Sequence, residues 1–401
     1  MGAGEAGGAG KAGKTGRTGK EAGAGRDEMI RLLSMLIGKD TTNPPGKERR
    51  VAEIVREFFR ENGIRYRLFE KEKGRTNIIG YIGKGKPRII IACHSDVVPA
   101  GEGWKTKPFR AKVRGDRIYG RGSVDDKGPL AGMLMAGKLL KKLEPMLKGQ
   151  VILGCIADEE RGSKVGMKYL LDEGKLGGEY AIVPDIGRGM RGIDIAEKGL
   201  LFLKVTSIGK QVHGSTPDKG INAVWNMLEF LQLIRKYRMR FREHVLLSSP
   251  TMNLGVLKGG SAPNMVPGEC EAQIDIRYLP SQRAEDIIRD VRAMLAKVRS
   301  GNKKARFRLE VMDHQRPVSL GSDNVLVKLI KKHARRITGK EAVPIGIGGT
   351  TLVKPLSEKG IVTVGFSPGN ETAHMANEFI SASEVMDFSR ILCLVCEELL
   401  S

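Results

Sequence analysis

Side chains able to bind metal or move protons recur in this chain at one kind of place, the end of a short apolar run. The run at 88–93 is followed by His94-Ser95-Asp96, and the run at 151–157 by Asp158-Glu159-Glu160. Asp185 follows the run at 180–183, and Glu371 and His374 lie in the loop beyond a run at 361–366. A further pair, Asp125-Asp126, sits in the Gly-rich stretch 120–128 ahead of a helical pattern. Two imidazoles and several carboxylates form the donor set of a two-metal hydrolase, in which one carboxylate bridges both ions and the ions activate water. In His94-x-Asp96 the carboxylate is spaced to hold the ring nitrogen that does not bind metal. Glu159 and Glu160, as neighbours, diverge, so one can bind metal while the other acts as a general base. Each has a plainer reading when taken singly: a strand-end His in a structural hydrogen bond, an Asp pair that turns the chain and caps a helix, a solvated Glu pair. The convergence of all of them is what points to chemistry.

That convergence needs elements that deliver every loop to one edge. In open α/β sheets ligands bind beyond the carboxyl ends of the strands. The runs 77–82, 88–93, 151–157 and 180–183 read as buried strands, with helical patterns at 28–38, 48–62 and 128–143 between or before them. Such alternation predicts a largely parallel sheet. From residue 200 the order changes to strand 200–208, helix 221–237, strands 251–257 and 271–277, helix 283–298 and strand 305–312. This β-α-β-β-α-β series is the signature of a ferredoxin-like unit. A helix at 324–338, a strand at 361–366 and a helix at 384–400 then resume the first pattern. The predicted fold class is α/β: a largely parallel-sheet catalytic domain split between 26–196 and 314–401, with a βαββαβ lid or dimerisation domain inserted at 197–313. Residues 1–25, with ten Gly and six Ala, carry too little apolar surface to offset their ordering entropy and read as a disordered tail.

Composition narrows the partners. Lys and Arg total 68 against 46 Asp and Glu, a net charge of +22, of which the first 26 residues carry five basic and two acidic groups. Nucleic acid would call for basic clusters interleaved with aromatics, but aromatics are 5% and the basic residues are scattered. Abundant charge of both signs with only six glutamines fits a heat-adapted enzyme, and a positive surplus also suits acidic substrates. No apolar run reaches the length of about 18 residues that a membrane span needs. The N-terminus lacks the pattern of a secretory signal. Five cysteines, an odd number at spacings of no disulfide framework, predict a reducing, cytoplasmic setting.

The motifs HSDVVPAG (94–101), YGRGSVDDKG (119–128), ADEERGS (157–163), VPDIG (183–187), QVHGSTPDKGINA (211–223) and ETAHMANE (371–378) resemble those of the co-catalytic di-zinc amidohydrolases and exopeptidases. That family includes aminoacylase, acetylornithine deacetylase, succinyl-diaminopimelate desuccinylase and glutamate carboxypeptidase. The resemblance runs in the family's order from about residue 27 to the end. It implies two Zn2+ ions per chain, with Co2+ as a substitute. His94 and Asp185 would bind one ion, Glu160 and His374 the other, and Asp125 both, across a cis Asp125–Asp126 peptide. Asp96 would orient His94, Glu159 would be the general base, and His213 would stabilise the oxyanion. Asn264 and Arg277 resemble substrate-binding lid residues, and the stretch 346–351, with Gly349 and Thr350, resembles a loop that contacts the substrate carboxylate. Read as a residue alone, Arg277 serves equally as an exposed strand charge. The resemblance implies hydrolysis of N-acyl amino acids, with short-peptide exopeptidase activity as the alternative, and a homodimer formed through the lid. Two departures bear on the substrate. Asp185 stands where many members carry Glu, and 351–354 reads Thr-Leu-Val-Lys where many desuccinylases have Ser-Asp-Gly-Arg.

Overall fold

A computed structural model describes residues 12–401, with side chains from residue 23 onward. The predicted disordered tail lies outside the described residues up to residue 11. From Ala12 the chain is helical instead, in a helix Ala12–Ile37 that begins well before the predicted start at 28. Its last turns bury Met29, Leu32, Leu33, Leu36 and Ile37, the spacing of one helix face. Once those turns are anchored the costly nucleus is in place, and each further residue upstream adds a backbone bond.

The chain divides into two compact units, Met1–Ile193 with Asp323–Val343 and Thr351–Ser401, and Asp194–Ser322 with Pro344–Thr350. The stretch 346–350, predicted as a Gly-rich loop of the catalytic part, groups with the inserted unit. Residues 348–350 are a loop that leaves the strand Val343–Ile347, and the Ile347 carbonyl accepts from the Lys198 N–H at 3.2 Å.

In the first unit the sheet runs Arg65–Glu70, Thr76–Gly83, Gln150–Ile156, Arg88–His94, Tyr180–Val183, Val362–Gly365. The first two strands are antiparallel to their neighbours and the last four are mutually parallel. Arg88–His94 and Gln150–Ile156 are buried along almost their whole length, as parallel strands covered on both faces must be. The helix Lys127–Leu143 packs on Ala382–Leu400, and Arg49–Glu61 covers the Thr76–Gly83 strand. Register pairs His94 with Ile156 and Val183 with Gly365, so the four parallel strands end at one edge. The second unit has the predicted βαββαβ order, with the antiparallel sheet Thr251–Gly259, Glu269–Tyr278, Gly199–Ile208, Arg306–Gln315. Burial alternates strictly along Glu269–Tyr278, so one face meets the helices through Leu201, Leu203, Phe230, Ile274 and Val291. All five cysteines are free and buried. Among the described residues no helix is long and apolar enough to cross a membrane.

Candidate metal centre

The aligned strand ends bring the predicted donors of the first unit together. His94, the last residue of its strand, is fully buried, and its Nδ1 lies 3.0 Å from the Asp96 main-chain carbonyl. A carbonyl only accepts, so Nδ1 carries a hydrogen, and in the neutral ring Nε2 presents its lone pair. That Nε2 is 2.7 Å from Asp125 Oδ1 and 3.9 Å from Asp185 Oδ2. The other Asp125 oxygen is 2.9 Å from His374 Nε2, which in turn is 3.4 Å from Glu160 Oε1. Asp125 therefore lies between the two imidazoles. Donor atoms of His94, Glu159 and Asp185 fall within 4.8 Å of one another, and so do those of His94, Asp125 and Glu160. The Asp125–Asp126 peptide is cis. Asp96 differs in detail from its predicted role. Its carboxylate is 3.6 Å from His94 Nδ1, beyond a hydrogen bond, and accepts instead from the backbone N–H groups of Glu159 (3.0 Å) and Glu160 (3.2 Å).

Crowded acids and imidazoles hold protons abnormally. The carboxylates of Asp125 and Glu160, which accept from its ring, push His374 up to about 10. Burial works against a charge on His94, yet its contacts with Asp125 and Asp96 hold its pKa well above the usual value. Burial would raise Asp125 too, but the two imidazoles outweigh it and draw it far down. Burial, reinforced by the charge of Asp185, lifts Glu159 well above the carboxylate range, and burial lifts Asp126 and Glu160. With neutral His94, Nε2 and Asp125 Oδ1 are two acceptors 2.7 Å apart, which is stable only with a proton or a cation between them. Glu160 Oε1 is buried, and its one near partner is His374 Nε2 at 3.4 Å. Imidazole and carboxylate donors gathered this way fit a divalent cation.

The remaining candidates lie in the second unit. His213 is exposed, and its Nδ1 accepts from the Ser215 N–H at 3.2 Å, so the neutral ring carries its proton on Nε2. Gly214 donates its N–H to the Asn264 carbonyl at 2.8 Å. A Cβ at Gly214 would stand 3.0 Å from that carbonyl carbon, so the loop closes this tightly only with glycine. Asn264 itself is exposed. Arg277 turns one edge of its guanidinium to Asp275, at 2.8 and 3.2 Å, and Nη1 towards Thr350 Oγ1 at 3.4 Å. Its fork is thus shared with a carboxylate of the chain itself. Gly349 directly precedes Thr350, past the end of the Val343–Ile347 strand.

Residues 90–398 match Peptidase family M20/M25/M40. The chain belongs to that family. It is 30% identical to an uncharacterized metallohydrolase of Methanocaldococcus jannaschii, over 91% of this chain and 98% of the relative. It is 28% identical to a probable succinyl-diaminopimelate desuccinylase of Staphylococcus aureus, over 88% and 93%. The crystal structure of an M20 family metallo-carboxypeptidase from Sulfolobus solfataricus superposes with a TM-score of 0.76 at 22% identity, covering 92% of this chain and 98% of that one. The M20 chain is a metal-dependent hydrolase of amide bonds.

Sequence reasoning missed the residues that hold this M20 centre from behind. Glu378, fully buried, accepts from the N–H groups of Gly122, Val124 and Asp125 and from Arg121, so it fixes the Asp125 loop to the His374 segment. Arg121, 1% exposed, also donates to the carbonyls of Ala100 and His374. Asn43, Glu48 and Asp158, all buried, and the half-buried Arg75 form a second hydrogen-bonded group beside Asp96. Glu378, Arg121 and Asp158 stood inside recognised motifs, where a charged residue amid buried neighbours was the available signal. Asn43, in a Pro-rich turn, gave none.

Proposed function

We propose that the chain releases the amino acid from N-acyl amino acids by hydrolysing their amide bond at a centre of two divalent ions, zinc by the chemistry of the donors. The observation that carries this reading is the pair of overlapping donor groups at His94, with Glu159 and Asp125 beside it. His94, Asp125 and Asp185 would hold one ion and Asp125, Glu160 and His374 the other; Co2+ would suit the same donors. Such ions supply Lewis acidity, polarising the amide carbonyl and lowering the pKa of water. Glu159 takes the proton of the attacking water and delivers it to the leaving nitrogen. Its raised pKa suits a carboxyl that must both accept and return a proton near neutrality. Asp96 holds the Glu159–Glu160 turn and, through its carbonyl, the His94 ring. His213, protonated on Nε2, donates to the developing oxyanion. Arg277 and Thr350, with Gly349 and Asn264, receive the substrate's carboxylate.

Asp185, where many deacylase-like members carry Glu, favours a second reading, a dipeptidase or carboxypeptidase acting on short peptides. The open edge strand Thr251–Gly259, with Leu254 and Leu257 exposed, supports a homodimer through the second unit. Free cysteines support a reducing, cytoplasmic setting. A panel of N-acetyl amino acids, N-succinyl amino acids and dipeptides, assayed by product with zinc or cobalt, tests the substrate. Faster turnover of the N-acyl compounds is expected. Cleavage of dipeptides alone gives the second reading, and no turnover of either by metal-loaded protein overturns both.

A further inference from the structure

Below the proposed ligands lies a layer of polar side chains that the reaction itself does not use. Asn43 is 4% exposed and its Nδ2 donates to two carboxylates, Asp96 Oδ2 at 2.8 Å and Asp158 Oδ1 at 3.1 Å. Both partners accept only, which fixes the amide with its NH2 group towards them. Asp158 Oδ1 also accepts from Arg75 Nη2 at 3.0 Å. Arg75 in turn holds the fully buried Glu48 through two bonds of 2.7 Å. Glu48 reaches the Asp158 backbone N–H at 3.3 Å. Gly46, at φ +73°, lets the Arg75 side chain pass, since a Cβ there would lie 2.4 Å from its Nε. The strap that carries Asn43 is pinned as well: its N–H donates to the Val97 carbonyl at 2.9 Å, and Thr41 Oγ1 to the Ser95 carbonyl at 2.6 Å.

These contacts meet at the turn that presents Glu159 and Glu160. Asp96 accepts from both of their N–H groups, and Asp158, the residue before them, sits at φ +66° with its carboxylate held by Asn43 and Arg75. We propose that Asn43 is a positioning residue that sets the metal centre by tying Asp96 to Asp158, its two amide hydrogens spent on one carboxylate each. Only an amide does this here. An aspartate of equal size would put a third carboxylate between two others, and an alanine would take one donor from each, leaving Asp96 Oδ2 only the Glu160 N–H and Asp158 Oδ1 only Arg75. The inference rests on the reading of His94, Asp125 and Glu160 as metal ligands.

The test uses the full chain stripped of metal, with zinc affinity from competition against a chromophoric chelator and the visible spectrum of the Co2+-loaded form. Asn43→Asp and Asn43→Ala are each expected to bind zinc about 10–100-fold more weakly, as loss of an outer-layer partner does. They should also shift the Co2+ ligand-field bands and lower kcat with KM little changed. A packing role alone predicts a different pattern: the isosteric Asn43→Asp would be nearly silent and only Asn43→Ala damaging. Asn43→Asp with wild-type zinc affinity and an unshifted Co2+ spectrum overturns the proposal. If that variant does not fold, Asn43→Ala with both properties unchanged overturns it equally. Wild-type protein that binds no zinc overturns the metal-centre reading itself, and is told apart because it fails before any substitution is made.

Discussion

In the first unit the His94 and His374 rings are both held on Asp125, whereas in the second unit His213 and Asn264 stand exposed and Arg277 shares its guanidinium with Asp275 and Thr350. The difference follows from what each region is asked to do. Ligands must hold acids and imidazoles within an ångström-scale geometry, so the loops that carry them are locked by buried partners such as Glu378, Arg121 and Asn43. Groups that meet a substrate do so once it arrives, and need exposed surface and some freedom. Substitutions in the first region should therefore act on chemistry and metal, and those of the carboxylate-binding residues Arg277 and Asn264 in the second on substrate affinity.

The largest effect should come from Glu159→Gln. Removing the one carboxyl that both takes and returns the proton is expected to lower kcat by about 10⁴-fold, the upper end for a general acid–base group. Metal content, read by elemental analysis, should stay at wild-type level, because the amide keeps the side chain's shape. A Glu159→Gln protein of near-normal kcat would remove the sharpest distinction between the regions.

A smaller effect tests the charge crowding itself. In metal-free protein His374 has a pKa of about 10 against an ordinary 6.5. A group raised in the folded state contributes stability that is complete below the unfolded pKa, here about 6.5, and is lost as pH rises through about 10. Bound metal must displace that proton at low pH but not at high pH. The gap between the melting temperatures of metal-loaded and chelated protein should therefore widen as pH rises from about 6.5. Lys127, pushed down to about 7 by burial, runs the other way, its cost relieved as pH climbs. It is present in both forms and drops out of the difference. A gap that narrows over this range would mean that His374 does not share its proton with Asp125 and Glu160.

Much of the centre was legible because strand ends declare themselves. A buried parallel strand is a nearly unbroken apolar run, as at 88–94, and the first polar residues after it must lie at the sheet edge. The alternation along 269–278 revealed the second unit in the same way. What the sequence hid has two physical causes. Asn43 and Arg75 act through partners 53 and 83 residues away, at Asp96 and Asp158, and no local period encodes such contacts. The strand Val343–Ile347 that leads into the Gly-rich loop went unread because it is short, carries a glycine and pairs with the distant Gly192–Glu197. Likewise the helix from Ala12 is carried by burial at Met29 to Ile37, which a Gly-rich composition upstream conceals.

The smallest effect belongs to Arg277 and decides whether the second region is as loosely built as it looks. Arg277→Lys keeps the charge but loses the fork that now divides between Asp275 and Thr350. A point charge in its place should still attract a substrate carboxylate while giving up the second directed bond, so KM is expected to rise about tenfold with kcat nearly constant. Substrates lacking the carboxylate should show no change, since the bond lost is one they never made. If kcat falls as much as kcat/KM instead, Arg277 is placed as strictly as the ligands of the first unit, and the contrast between a locked centre and an adaptable second unit fails.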